Sequence, residues 1–403
     1  MYEHAYHIEF RRQRRRVYRY LHAAHRLDGR RPADGGHRQR PAALPRGFTR
    51  SPSAGTAPAE EVSHYWLALV ASHGRVMLVV AILFASCVAH AQGPATHVGF
   101  RQIEFPDAVT GQRVPLFVWY PTSQASRPTQ FGPYTLDVAP GAPPAGGRHR
   151  LVMISHGTGG DPLSHVQLGM ALVRRGYVAA APRHAKDNSR DLSGVGTYEV
   201  WYGRPRQISE GIDAVLADPT LGTVIDPDRI AVIGHSAGGY TALALVGGRA
   251  DMDRARAHCR QHPDDGFCQV RLPDRTRVAA PTVPIPDSRD ARIKAAIAMA
   301  PPGIVLDPVS LAKVGVPVRI YAAELDAVVP KRYHAEPLRQ TIKPTPEFVL
   351  VRGAGHYSFV EPFPEAVKQQ AGEGATDPPG FDREVFQEKL RREIAEFLDR
   401  ALR

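Results

Sequence analysis

Beyond about residue 95 the chain alternates between short, continuously apolar runs and longer stretches in which apolar residues return every three or four positions. The clearest short runs are Leu151-Val-Met-Ile154 and Ile230-Ala-Val-Ile233. Apolar on both faces, they predict central parallel strands covered on each side. Read in this way, the pattern predicts strands near 97–106, 114–120, 150–155, 177–182, 229–234, 293–299, 317–323 and 347–352. Helices are predicted near 162–175, 204–217, 237–247, 331–341 and 382–402. The first two strands follow one another directly and the rest alternate with helices, as a parallel, doubly wound sheet requires. The expected fold class is therefore α/β, with a mostly parallel sheet of eight strands. Residues 248–292 break the alternation: they show no clear period and hold two Cys, several Asp and Arg, and Pro281, Pro284 and Pro286. They read as a loop-rich insertion over the sheet's C-terminal edge. No internal repeat is visible.

Residues 1–75 have no sustained apolar period, run through Arg11-Arg12-Gln13-Arg14-Arg15-Arg16 and are expected not to fold. The next stretch is uncharged from Val76 to Ala89, preceded by Arg75 and closed by Ala89-His90-Ala91. A positive flank, a short apolar core and an A-x-A exit read as a secretory signal peptide over 76–91, cut before Gln92. A permanent anchor is the weaker reading, because a bilayer needs about 20 apolar residues. Phe84-Ala85-Ser86-Cys87 loosely resembles a lipobox, which makes Cys87 an alternative lipid-anchor site. A signal this far from Met1 suggests a start nearer Val70 or Met77, with 1–75 as translated upstream sequence; a nucleic-acid-binding arm and a transit peptide are the rival readings. The folded domain is then 92–403, and the expected location is periplasmic or secreted.

Charge supports this division. Of the net +11, residues 1–75 carry +8, with 14 Arg against 6 acidic residues, so the rest of the chain carries only +3. A nucleic-acid partner would rest on that segment alone, and none is expected for the domain. With 43% hydrophobic and 23% charged residues, the composition excludes a wholly disordered, collagen-like or coiled-coil protein. After Cys87 only Cys259 and Cys268 remain. In an oxidising compartment two isolated thiols in one loop most simply pair, so a disulfide is expected. The same stretch offers His258 and His262, but their spacing matches no standard zinc finger.

The sharpest chemical signal is Gly234-His235-Ser236-Ala237-Gly238, placed between a buried strand and a helix of small and apolar residues. The spacing alone is weak; the strand-to-helix context gives it meaning, because a serine on that strained turn leaves no room for Cβ atoms two residues to either side. A serine nucleophile needs a base, and the base needs an orienting carboxylate. Asp326 follows the strand Pro317–Ala323, where open α/β sheets build their sites; Glu324 and Asp307 are fallbacks. His356 sits in Gly353-Ala-Gly355-His356-Tyr-Ser-Phe, after the last predicted strand and at the same edge. His235, beside the serine, is expected to point away from the attacking face and pack. Oxyanion donors are expected from the N–H of Ala237 and, in the Gly-rich turn Ser155-His156-Gly157-Thr158-Gly159-Gly160, from Thr158. That turn matches neither G-x-G-x-x-G nor a P-loop, so a phosphate-binding reading is weak.

Together, His156-Gly157, Gly234-His-Ser236-Ala-Gly238-Gly239, Leu325-Asp326-Ala-Val-Val-Pro330 and Gly355-His356 resemble the α/β-hydrolase superfamily over about residues 95–400. The similarity is greatest to exported bacterial dienelactone-hydrolase-like proteins, grouped with platelet-activating-factor-acetylhydrolase-like and cutinase-like esterases. Two departures qualify it. Dienelactone hydrolases proper carry a cysteine where this chain has Ser236. Platelet-activating-factor acetylhydrolases take their acid from the strand after the nucleophile's, which here, Ile293–Ala300, has none.

The expectation is a serine hydrolase that cleaves small-molecule or lipid-like carboxylic esters through an acyl-enzyme and needs neither metal nor cofactor. Trp201, Tyr202, Tyr240, Tyr357 and Phe359, with the insertion, are candidates for shaping its pocket, with core packing the favoured reading for each aromatic taken singly. An amidase or peptidase with the same three residues, and a non-catalytic binding protein on the same fold, are the alternatives.

Overall fold

The computed structural model describes residues 97–270 and 281–403. The Arg-rich stretch, the expected signal peptide with Cys87, and residues 271–280 of the insertion lie outside the described residues. Ten strands form one sheet: β1 (His97–Pro106), β2 (Arg113–Thr122), β3 (Arg127–Phe131), β4 (Tyr134–Pro140), β5 (His149–Ser155), β6 (Tyr177–Pro182), β7 (Ile225–His235), β8 (Ile293–Met299), β9 (Val318–Ala323) and β10 (Glu347–Val351). Their spatial order is β10-β9-β8-β7-β5-β6-β2-β1-β4-β3. From β10 through β6 every neighbouring pair is parallel, whereas β2 runs antiparallel to both β6 and β1. The order reverses beside β5 and β7, so the chain ends that follow these two strands meet at one place on the C-terminal edge.

Side chains alternate across the sheet into two cores. Leu151 and Met153 of β5 face one apolar cluster and Val152 and Ile154 face the other, which is why this run lacks a polar face. The first cluster is closed by α2 (Gly203–Ala217) through Ile208, Ile212 and Val215. The second is closed by α1 (Val166–Arg174) and by the C-terminal helix Arg383–Ala401 through Leu390, Ile394, Phe397 and Leu398. Five strong helical periods therefore appear as helices, within a few residues of their expected ends.

Ten strands rather than eight is one difference from expectation. The additional pair, β3 and β4, is a hairpin turning at Gly132-Pro133, and β3 is an outer strand with no fully buried position. Its sequence, Arg-Pro-Thr-Gln-Phe, is mostly polar and contains a proline, a combination that only an edge strand tolerates and that gives no apolar alternation to read.

The insertion is the second difference, because 248–292 is less loop-rich than expected. It contains α4 (Met252–Gln261), which follows α3 (Ala237–Leu245), and a short α5 (Gly266–Gln269). Only Met252 and Ala255 of α4 are buried, so the helix has almost no apolar stripe. Two polar devices hold it instead. Asp251 caps its first turn by accepting from the Arg254 N–H, and the Arg254 guanidinium reaches over to donate to the carbonyl of Ile304 at 2.7 Å. Cys259 and Cys268 are joined by a disulfide, with their Cα atoms 5.3 Å apart, which ties α4 to α5.

Candidate active site

Strand β7 delivers Ser236 to the sheet edge and α3 starts at the next residue. The turn between them is tight. Ser236 has φ +54° and ψ −119°, a backbone conformation that costs a residue with a Cβ energy and persists only where the surroundings enforce it. Here the enforcement is visible: the Ser236 N–H donates to the Met299 carbonyl at the end of β8 at 2.9 Å. A Cβ on Gly234 would overlap the Gly238 carbonyl, and one on Gly238 would overlap the carbonyl of Ser155 at the end of β5. The G-x-S-x-G spacing thus follows from how closely β5, β7 and α3 approach.

Asp326 and His356 arrive from two other strand ends. Asp326 lies in the loop after β9, where its Oδ1 accepts the N–H groups of Val328 and Val329 at 2.9 and 2.8 Å. That leaves Oδ2 for Nδ1 of His356, 2.9 Å away. His356 follows β10 and opens a short 3-10 turn. Its Nε2 lies 3.0 Å from Ser236 Oγ. Asp326 and His356 are both buried, and the serine is half-buried. With Nδ1–H held by the carboxylate, Nε2 presents its lone pair to the hydroxyl, the tautomer a general base requires. The three residues are therefore brought into one hydrogen-bonded chain.

The fallback carboxylates are elsewhere. Glu324 accepts from Gly353 N–H at 2.9 Å and pairs with Arg352, tying the loop after β9 to the loop after β10. Asp307 caps a short helix by accepting from Val309 and Ser310.

Of the two expected oxyanion donors, Ala237 is the first residue of α3, and the first N–H groups of a helix have no intrahelical acceptor. The turn after β5 packs directly against the elbow: a Cβ on Gly157 would come 3.4 Å from Ser236 Cβ. In that turn the Gly157 carbonyl accepts from Gly160 N–H at 2.9 Å and from His156 Nδ1–H at 2.8 Å. In a trans peptide the N–H points opposite to the carbonyl, so Thr158 N–H is directed away from these two donors.

His235 does more than pack. Its ring is buried and lies 4.9 Å from that of His356, and its Nε2–H donates to the His356 carbonyl at 3.0 Å. Of the aromatic candidates, Phe359 and Tyr240 are fully buried core, Tyr240 donating its hydroxyl to the Trp201 carbonyl at 2.8 Å. Trp201, Tyr202 and Tyr357 keep partial exposure, and the Tyr357 ring stands edge-on to His356 at 5.2 Å.

Beneath the turn lies a buried ion pair that no motif announces, Arg204 with Asp187, at 2.8 Å. A signal existed, since Arg204 occupies the same helical stripe as Ile208, Ile212 and Val215. A charge on a buried stripe must find a buried partner.

The insertion reaches the same edge. A Cβ on Gly266 would overlap the carbonyl of Ala327, next to Asp326. Asp265 accepts from Nε2 of His258 at 2.7 Å and from Nε2 of His334 at 3.1 Å. Among the described residues, the one grouping with metal-ligand proximity is His258, Asp265 and Cys268, and the disulfide engages the sulfur of Cys268.

A doubly wound sheet whose serine elbow, carboxylate and histidine follow the ends of β7, β9 and β10 has the architecture of the α/β hydrolases, and the chain has the α/β-hydrolase fold. No family model matches it. Over 92% of its length, the ferulic acid esterase from Streptomyces cinnamoneus superposes on 78% of this chain, with a TM-score of 0.52 and 18% identity. A puromycin-hydrolyzing peptidase of Mycobacterium tuberculosis matches over 75% of this chain and 39% of its own, at 14% identity and a TM-score of 0.45. In sequence, 70 residues, 17% of the chain, are 36% identical to Lipase 1 of Moraxella sp. (strain TA144) and span about a fifth of that lipase, 22%. Among the described residues no helix is long and apolar enough to cross a membrane.

Proposed function

We propose that this protein is a serine hydrolase acting on carboxylic esters of small or lipid-like molecules, exported to the periplasm or secreted. The observation that carries the reading is the strained Ser236, with its Oγ 3.0 Å from an imidazole nitrogen whose other nitrogen is held by a buried carboxylate. His356 takes the Ser236 proton as Oγ attacks the ester carbonyl carbon, and the tetrahedral oxyanion is received by the N–H groups of Thr158 and Ala237. Collapse expels the alcohol, protonated by His356, and leaves an acyl-serine. Water, deprotonated by His356, then releases the acid and restores the hydroxyl. Asp326 holds the imidazole tautomer and stabilises the imidazolium. The named esterase and lipase relatives agree with an ester substrate. The acid after β9 agrees with the dienelactone and cutinase type of placement, while the serine nucleophile departs from dienelactone hydrolases proper.

The test is a panel of p-nitrophenyl esters of increasing acyl length, run beside Ser236→Ala and a matching p-nitroanilide. Turnover of esters that disappears in a folded Ser236→Ala protein is expected, with fluorophosphonate labelling found on Ser236. Retained ester turnover in that variant would overturn the mechanism, and turnover of the anilide alone would replace esterase by amidase. For export, N-terminal sequencing of protein from its native host is expected to read from Gln92; a mature chain that keeps residues 1–75 would refute it.

A further inference from the structure

The buried pair Asp187 and Arg204 has no part in the chemistry above, yet every polar contact it makes converges on one short turn. Arg204 is fully buried, and its Nη2 donates to the carbonyl of His156 and, at 3.4 Å, to Ser155 Oγ. Its Nη1 donates to Asp187 Oδ2 at 2.8 Å and to the Asp187 carbonyl at 3.4 Å. Asp187, also fully buried, accepts the Gly159 N–H on Oδ1 at 2.9 Å and the Thr158 hydroxyl on Oδ2 at 3.4 Å. The peptide between Gly157 and Thr158 is thus gripped from both sides: Arg204 holds the peptide before it by its carbonyl, and Asp187 holds the peptide after it by its N–H. The gripped peptide is the one that carries Thr158 N–H.

A buried ion pair is a poor way to gain stability, because desolvating two charges offsets most of their attraction. What such a pair supplies is fixed geometry. An oxyanion donor needs that, since its advantage over water lies in being aimed before the charge develops. Resting on the serine-hydrolase reading, we propose that Asp187, braced by Arg204, is the positioning residue for the oxyanion donor Thr158 N–H.

The test compares Asp187→Leu, which removes both acceptors, with the double variant Asp187→Leu/Arg204→Met in three measurements: kcat and KM for p-nitrophenyl acetate, Ki for a trifluoromethyl ketone whose hemiketal oxygen mimics the oxyanion, and thermal unfolding. Full loss of one oxyanion donor lowers kcat by roughly 10²–10³-fold, so Asp187→Leu is expected to lose on the order of 10²-fold. KM should stay within about threefold, and Ki should rise by a factor similar to the loss in kcat/KM, because the interaction forms only with the oxyanion. The double variant leaves no uncompensated buried charge and should regain thermal stability, while kcat stays low because the grip on the turn is still missing. If Asp187→Leu does not fold, the double variant decides alone. A kcat within about threefold of wild type in a folded variant, an unchanged Ki, or a double variant that recovers kcat along with stability would each overturn the proposal. Failure of the underlying reading is separately visible, as wild-type protein that fluorophosphonate does not label at Ser236.

Discussion

The carbonyl oxygen of His356 lies 3.0 Å from Nε2 of His235, so the residue immediately before Ser236 holds the backbone of the imidazole facing Ser236. Because a carbonyl can only accept, the proton of His235 sits on Nε2. Its Nδ1 has no partner among the described residues. His235→Phe keeps the ring and removes this donor, leaving a buried acceptor unsatisfied. The expected cost is about 1–3 kcal/mol of stability, with a lowered kcat and little change in KM as His356 loses its backbone anchor. His235→Gln, which can donate from Nε2, should recover part of the loss. Thermal melts and steady-state kinetics on both variants check this; equal activity in wild type and His235→Phe would sink it.

The choice of acid is tested by a pair of amides. Asp326→Asn breaks the bond that sets the His356 tautomer and should lower kcat by about 10⁴-fold, whereas the loss from Ser236→Ala should approach 10⁶-fold, on the order seen when triad members are removed singly. Glu324 instead pairs with Arg352 and Gly353, so Glu324→Gln should change kcat by less than about threefold. The reverse ranking in kcat would move the acid to Glu324.

Acid should destabilise the fold well before most carboxylates titrate. Burial pushes His156 down to about 3 and His165 to about 4, and holds His184 and His235 well below the ordinary imidazole value. Each takes up a proton more readily in the unfolded chain, so its stabilisation is complete above about pH 6.5 and declines as pH falls toward the folded value, by up to about 1.4 kcal/mol per pH unit. Glu361 works the other way. Burial raises its carboxyl to about 7 despite Arg391 at 3.3 Å, so from pH 7 down to about 4.5 it adds stability. Burial raises the Asp187 and Glu210 carboxyls in the same sense, yet the four depressed imidazoles outweigh these carboxyls. Urea midpoints between pH 8 and pH 4 should fall below about pH 6; a midpoint that is flat or rises over that interval would refute the balance.

Replacing Cys259 and Cys268 by Ser opens a small loop, worth roughly 2–3 kcal/mol in the chain-entropy account of disulfides. The effect should concentrate in α4 and α5. Hydrogen exchange there should accelerate, while Ser236 remains labelled by fluorophosphonate. Thiol titration of the denatured, unreduced protein should find neither cysteine free; two free thiols per chain would contradict the disulfide.

Much of this was legible in the chain because periodicity reports burial averaged along an element. Runs such as Leu151–Ile154 are apolar on both faces because helices cover both, and that is enough to read a doubly wound sheet. The elbow glycines, the carboxylate after β9 and the histidine after β10 were legible for a related reason: each sits at the end of a strong strand signal, and strand ends in such a sheet lie on one edge. Weak averages hid the rest. β3 is polar and exposed, and α4 is held by a cap and an arginine rather than by an apolar stripe. What only the tertiary structure decided is which distant polar atoms meet. His356 and Ser236 are 120 residues apart. Their 3.0 Å separation depends on β10 being stacked beyond β8 and β9, an order that no local pattern encodes. Asp187 is one acid among many until the turn after β5 folds onto it, and His235 takes up its bond to His356 only when β7 and the loop after β10 are side by side. Hydrogen bonds fail beyond a few tenths of an ångström, whereas hydrophobic burial tolerates a residue or two of error. The sequence by itself therefore determined the layers and the edge, and the packing of those layers determined the partners.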